Sequence, residues 1–141
     1  MAILLNTGFY FGLLSIKDQY HQQSQSIIKD LIKNKYGKIY TTNFILDESL
    51  TLINVRTKGK RLDLLEKTKK LFLGPLAIAN LLIIENSWLE SIFTLQKKLT
   101  TPGNPLSFTD ASNIILCQKF EIQNIVSFDK HYSGLLNLVN H

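Results

Sequence analysis

The sequence predicts an α/β domain in three layers, a central parallel sheet of about five strands with helices on both faces. Two observations carry that expectation. Short apolar runs that suit buried strands alternate with longer stretches of helical periodicity along the whole chain. The 141 residues are enough for one core and too few for two, so residues 1–141 form a single domain. An apolar share of 45% beside a charged share of 19% is ordinary for a globular protein and excludes a disordered or fibrous chain.

The first strand is Ala2–Leu5, an unbroken apolar run that stops at Asn6. Thr7 is placed to cap a helix over residues 7–15. Gly8 and Gly12, four apart, give that helix a flat side with which to approach the sheet. Asp18 opens an amphipathic helix over residues 18–35, with Ile27, Ile28, Leu31 and Ile32 as its buried stripe. His21, in its first turn, has a structural role, and Tyr36-Gly37 ends the helix.

Lys38–Thr42 is the second strand, and Thr42 or Asn43 caps the next helix. There Phe44, Glu48 and Leu52 recur at i, i+4 and i+8, flanked by Ile45 and Ile53. Asn43, Asp47, Thr51 and Asn54 form the polar face. Asp47 therefore points to water and Glu48 inward. A buried glutamate is costly unless its charge is compensated, by a basic residue or a bound cation.

Residues 56–74 form a basic link and helix broken at Gly74-Pro75, and residues 77–84 a third strand interrupted only by Asn80. Residues 85–99 return as a helix with Trp88, Leu89, Ile92 and Leu95 inward. The breaker-rich loop Thr-Thr-Pro-Gly-Asn-Pro ending at Pro105 delivers the chain to Ser107. Residues 106–132 make one helix, a turn and a buried strand, with a carboxylate at each end. Asp110 is in the first helical turn, and Asp129 follows Ile125-Val126-Ser127-Phe128. Residues 135–139 supply a last edge strand.

Composition narrows the function classes. The longest apolar region, residues 71–84, contains Gly74, Pro75 and Asn80 and is too short to span a bilayer. The opening MAILLN lacks the basic start of a secretory signal. A single cysteine, Cys117, excludes an internal disulfide and suits a reducing compartment, which points to the cytoplasm. It lies mid-helix without a His or Lys beside it, as a core thiol does. The net charge is +5, and seven of the sixteen basic residues fall within residues 56–70. Such a field attracts phosphate backbones. Lysines outnumber arginines fourteen to two, which favours backbone contact over base reading.

In a parallel sheet a helix runs back antiparallel to its strand. Residues just after strands and residues at helix starts therefore share one edge, where open α/β sheets bind ligands. Asn6, Glu48, Asp110 and Asp129 all fall there. Three carboxylates and an amide oxygen form the ligand set of a hard divalent cation such as Mg²⁺ or Mn²⁺. Ser107-Phe-Thr-Asp110 also has capping-box spacing, which gives Asp110 a structural reading as well. Asp129 and His131 have no second histidine at ligand spacing, so no zinc site is expected. A Gly-rich phosphate loop and a nucleophile elbow are both absent.

Together these residues resemble the PIN domain family, and within it the VapC-type toxin ribonucleases. The resemblance covers nearly the whole chain. ILLNTGFYFGLLSIKDQYH is similar to the family's opening strand and helix, which normally carries Asp where Asn6 stands. TTNFILDESLTLI resembles its second acidic motif, through Glu48, and LSFTDAS and IVSFDKHY its third and fourth, through Asp110 and Asp129. The resemblance implies a five-stranded parallel sheet and a Mg²⁺- or Mn²⁺-dependent endoribonuclease. It also implies a homodimer and a small antitoxin whose C-terminal segment occludes the acidic pocket. On it, Thr7, Thr109 and Ser127 support the metal ligands, and Arg56, Lys58, Lys60 and Arg61 contact RNA.

Asn6 departs from the family pattern. It keeps the shape and one carbonyl oxygen but lacks the charge, so weaker metal binding and lower activity are expected. Two origins fit, an inactivating Asp→Asn change or a natural residue in a weakened domain. The competing reading is a non-catalytic RNA- or partner-binding module on the same fold. A signalling domain phosphorylated on aspartate would need an acidic pair after the first strand, and Leu5-Asn6 does not supply one.

Overall fold

The computed structural model describes all 141 residues. Five parallel strands form one sheet: β1 (Ala2–Leu5), β2 (Lys38–Thr42), β3 (Asn80–Leu82), β4 (Asn124–Val126) and β5 (Asn137–Val139), in the order β3-β2-β1-β4-β5. Six helices connect them: α1 (Thr7–Leu14), α2 (His21–Ile32), α3 (Asn43–Arg56), α4 (Leu62–Phe72), α5 (Leu89–Leu99) and α6 (Phe108–Lys119). α1 packs against α2, α3 and α4, and α5 against α6. The direction of travel across the sheet reverses after β3, so right-handed crossovers assign these two groups to opposite faces.

The core lies on the central strands. Ile3, Leu4, Leu5, Ile125 and Val126 are fully buried, as strands covered on both faces must be. The order reverses between β1 and β4, which makes their C-terminal ends the topological switch point. There Leu5 pairs with Val126, and the Asn6 amide donates to the Val126 carbonyl at 3.2 Å. Asn6 and Ser127 therefore leave the sheet side by side.

Several boundaries are tighter than the residue patterns predict, each for a local reason. α2 begins at His21 because the Asp18 carboxylate takes the Tyr20 amide in a turn. It ends at Ile32 because Asn34 adopts a left-handed φ of 60°, four residues before the next strand. β3 is only Asn80–Leu82, since the Ile84 amide leaves the ladder for the Asn43 side chain at 2.8 Å. The helix expected over residues 85–99 begins as a short 3-10 turn at Asn86–Trp88 before α5. Gly12 serves a helix rather than the sheet, because a Cβ there would run into Ser24 Oγ of α2. The same approach lets His21 Nδ1 reach the Gly12 carbonyl at 2.7 Å, the structural role expected of that histidine. No helix is long and apolar enough to cross a membrane.

Candidate functional site

Helix starts deliver most of the polar side chains. Asn6, not Thr7, is the N-cap residue of α1, and its Oδ1 accepts from the Thr7 amide at 2.9 Å. The Thr7 hydroxyl is thereby free to donate to Glu48 Oε1 on α3 at 2.6 Å. Thr42 caps α3 through the Ile45 amide, so Glu48 sits in the second turn, half-buried, while Asp47 is exposed. Ser107 caps α6 by accepting from the Asp110 amide at 2.9 Å. The Asp110 carboxylate does not reach back to complete a capping box; it turns into the protein instead.

Tyr132 decides where Asp110 goes. The fully buried phenol donates to Asp110 Oδ1 at 2.6 Å, and burial first, then the Asp110 charge, drives its pKa far up. Asn113, one turn beyond Asp110 on α6, donates to the Tyr132 oxygen at 3.0 Å and to Asn6 Oδ1 at 3.2 Å. Asn6 Nδ2 in turn donates to Tyr132 at 3.3 Å. A buried chain of hydrogen bonds thus links the first-strand terminus to the third acidic residue.

After β4 the backbone makes a compact turn. Ser127 Oγ accepts from the Asp129 amide at 3.0 Å, and the Asp129 carboxylate accepts from the His131 amide at 3.0 Å. His131 Nδ1 then stands 3.2 Å from Asp110 and 3.1 Å from Asp129, with Nε2 at 3.0 Å from Asn104 Oδ1. Asp110, Asp129 and His131 each offer a ligand atom within 4.8 Å of the others. Neither lysine nor arginine forms an ion pair with Glu48, Asp110 or Asp129. Asn6, Glu48, Asp110 and Asp129 all line one open cavity of about 760 Å³. Carboxylates gathered without a lysine or arginine partner are compensated well by a bound cation, and oxygen donors with one imidazole suit a divalent metal.

No protein-family model matches the chain. Among curated proteins, the VapC ribonuclease of Archaeoglobus fulgidus is 29% identical over 142 aligned positions, covering 94% of this chain and 80% of that one. Mycobacterium tuberculosis VapC20, a toxin that cleaves the sarcin-ricin loop, superposes with a TM-score of 0.75 at 24% identity, over 95% of this chain and 96% of that one. The chain has the PIN fold of the VapC proteins. VapBC2 of Rickettsia felis, solved on a DNA fragment from their promoter, gives a TM-score of 0.69 at 14% identity, over 98% and 97% of the two chains. PAE2754 of Pyrobaculum aerophilum gives 0.61 at 13%, over 99% and 90%.

Within this fold the remaining residues singled out by sequence divide. Thr7 and Ser127 hold the site as described, but Thr109 does not line the cavity, and its carbonyl accepts from the Ser112 hydroxyl. Of the basic residues, only Arg56 reaches the cavity. Lys58 and Lys60 are exposed beyond it, and Arg61 is held by Asp63 at 2.9 Å. The sequence reading missed Asn113 and Tyr132. Asn113 carries a usable signal, since its i+3 spacing from Asp110 puts both on one helix face. His131 has no second histidine at ligand spacing in the sequence; the fold gives it two carboxylates, Asp110 and Asp129, instead.

Proposed function

We propose that the protein is a metal-dependent endoribonuclease, the toxin of a type II toxin–antitoxin pair, cleaving RNA phosphodiesters with Mg²⁺ or Mn²⁺. The observation that carries this reading is the shared cavity at the switch point, lined by Glu48, Asp110 and Asp129 beside Asn6, with no lysine or arginine paired to them. The comparison with the Archaeoglobus fulgidus VapC ribonuclease supports it.

Asp110, Asp129 and His131 would hold the ion, with Glu48 and the Asn6 carbonyl oxygen at its margin. When bound, such an ion activates water and neutralises charge on the phosphoryl oxygens. The chain's own residues do the positioning. Thr7 fixes one oxygen of Glu48, Tyr132 fixes one oxygen of Asp110, and Ser127 fixes the turn that carries Asp129 and His131. Each leaves a second carboxylate oxygen for the cavity. Asn6 contributes a dipole where a charge would bind more strongly, so this version of the site works with lower metal affinity. Arg56, Lys58, Lys60 and Arg61 would hold the RNA strand outside the acids.

Purified protein incubated with RNA should cleave it in Mn²⁺ and not in EDTA, and Asp110→Asn should abolish cleavage. A second reading is favoured by one observation: Asn6 Oδ1 accepts from Thr7 and Asn113 while its Nδ2 donates to Tyr132, as in a site kept for shape. In that case the domain binds RNA or a protein without chemistry, and titration shows neither saturable Mn²⁺ binding nor metal-dependent cleavage. A homodimer and a small cognate antitoxin belong to the toxin reading. Its genetic counterpart is an adjacent reading frame encoding a small protein with a DNA-binding N-terminus.

A further inference from the structure

The cavity continues away from the acids along α1. Thr7 stands at the acidic end, a Cβ on Gly8 would meet the Phe128 ring at 3.4 Å, and Phe128 stacks on Tyr20 with ring centres 4.2 Å apart. One turn beyond Gly8 is Phe11, and the Arg56 guanidinium lies over its ring at 4.6 Å. Phe11 and Arg56 both line the cavity. Arg56 is eight residues after Glu48 on α3, which puts it about 12 Å farther along the helix.

Three properties separate this guanidinium from the rest of the basic stretch. It faces the cavity, it has no carboxylate partner, and an aromatic face holds it in place. An arginine so held loses little freedom when it meets an anion, and its planar fork matches a phosphate. The rest of the wall carries Asp18, Glu48, Asp110 and Asp129, which repel a polyanion, and its other basic residues, Lys130 and His131, directly follow Asp129 at the acidic end. A strand entering the cavity needs a fixed positive charge away from the metal ligands.

We propose that Arg56, held on Phe11, is a backbone-phosphate subsite for single-stranded RNA, binding a phosphate next to the scissile one along the strand. Phe11 is its positioning residue. The inference rests on the nuclease reading and names where that site grips its substrate. The subsite acts on binding rather than on the chemical step, so it is independent of the metal.

The test measures affinity of the full chain for a fluorescein-labelled, mixed-sequence single-stranded RNA by anisotropy, in EDTA and over a salt series. Arg56→Gln should weaken binding about tenfold. It should also flatten the plot of log affinity against log salt by about 0.7, the loss of one phosphate contact to a single strand. Phe11→Leu should weaken binding about two- to fivefold with the slope unchanged, because the charge remains. Lys97→Gln on α5, outside the cavity, should match the unmodified protein. In Mn²⁺, Arg56→Gln should raise KM and leave kcat near its starting value. Arg56 is exposed, so its variant should keep the unmodified circular dichroism spectrum. Binding by Arg56→Gln within twofold at an unchanged slope would overturn the subsite while leaving the nuclease intact. An unmodified protein that neither binds nor cleaves RNA would overturn both.

Discussion

The Tyr132 hydroxyl donates to Asp110 Oδ1 across 2.6 Å, and the same oxygen accepts amide protons from Asn113 and Asn6. One phenol therefore joins Asp110 on α6 to Asn6 at the end of β1. Tyr132→Phe removes the donor to Asp110 and leaves two buried amides facing a ring edge. An unsatisfied buried polar group costs about 1–3 kcal/mol, so urea unfolding should show a loss in that range. Cleavage should fall as well, because the Asp110 carboxylate is no longer held.

Asn6→Asp should raise Mn²⁺-dependent RNA cleavage above that of the unmodified protein. The new carboxylate adds charge to the ligand set, but it exchanges the Asn6 Nδ2 donor for an acceptor 3.3 Å from the Tyr132 oxygen. Without metal the variant should therefore melt below the unmodified protein, and Mn²⁺ should raise its melting temperature by the larger amount. A cleavage assay and paired thermal melts with and without Mn²⁺ read both effects. A variant with no gain in cleavage would count against the assignment of Asn6 to the metal site.

Residues that hold the acids should rank below the acids themselves. Thr7→Val deletes the 2.6 Å bond to Glu48 and should lower metal affinity or activity about ten- to hundredfold, the usual effect of losing such a support. Thr109→Val, outside the cavity, should have little effect on either. Isothermal titration with Mn²⁺ and initial cleavage rates give the order. Saturating Mn²⁺ at about a hundred times its dissociation constant should stabilise the unmodified protein by about 2.7 kcal/mol, and Asp129→Asn should remove most of that.

Cys117 should be inert. Burial pushes its thiol up to about 12, so almost no thiolate exists in the folded protein near neutral pH. Thiol reagents should label it only after denaturation. The folded value lies above the unfolded one of 9.0, so the neutral thiol favours folding below pH 9. That contribution is lost as pH rises from 9 towards about 12.

The alternation of apolar runs with amphipathic stretches determined the parallel α/β sheet, because strands buried on both faces must be apolar throughout. It also determined the shared edge of Asn6, Glu48, Asp110 and Asp129, since strand ends and helix starts necessarily meet there. The inward direction of Glu48 followed from its i, i+4, i+8 spacing. Side-chain hydrogen bonds, which pattern does not encode, set the trimmed ends of α2 and β3. Only the tertiary structure decided which neighbours complete the site. Tyr132 and His131 leave the same turn yet serve opposite purposes, one inside the wall and one at the cavity. Asn113 meets Asn6 from more than a hundred positions away along the chain. Periodicity reports which face of an element is buried; the partners across that face depend on how separate elements pack, and that information is not local to any stretch of the sequence.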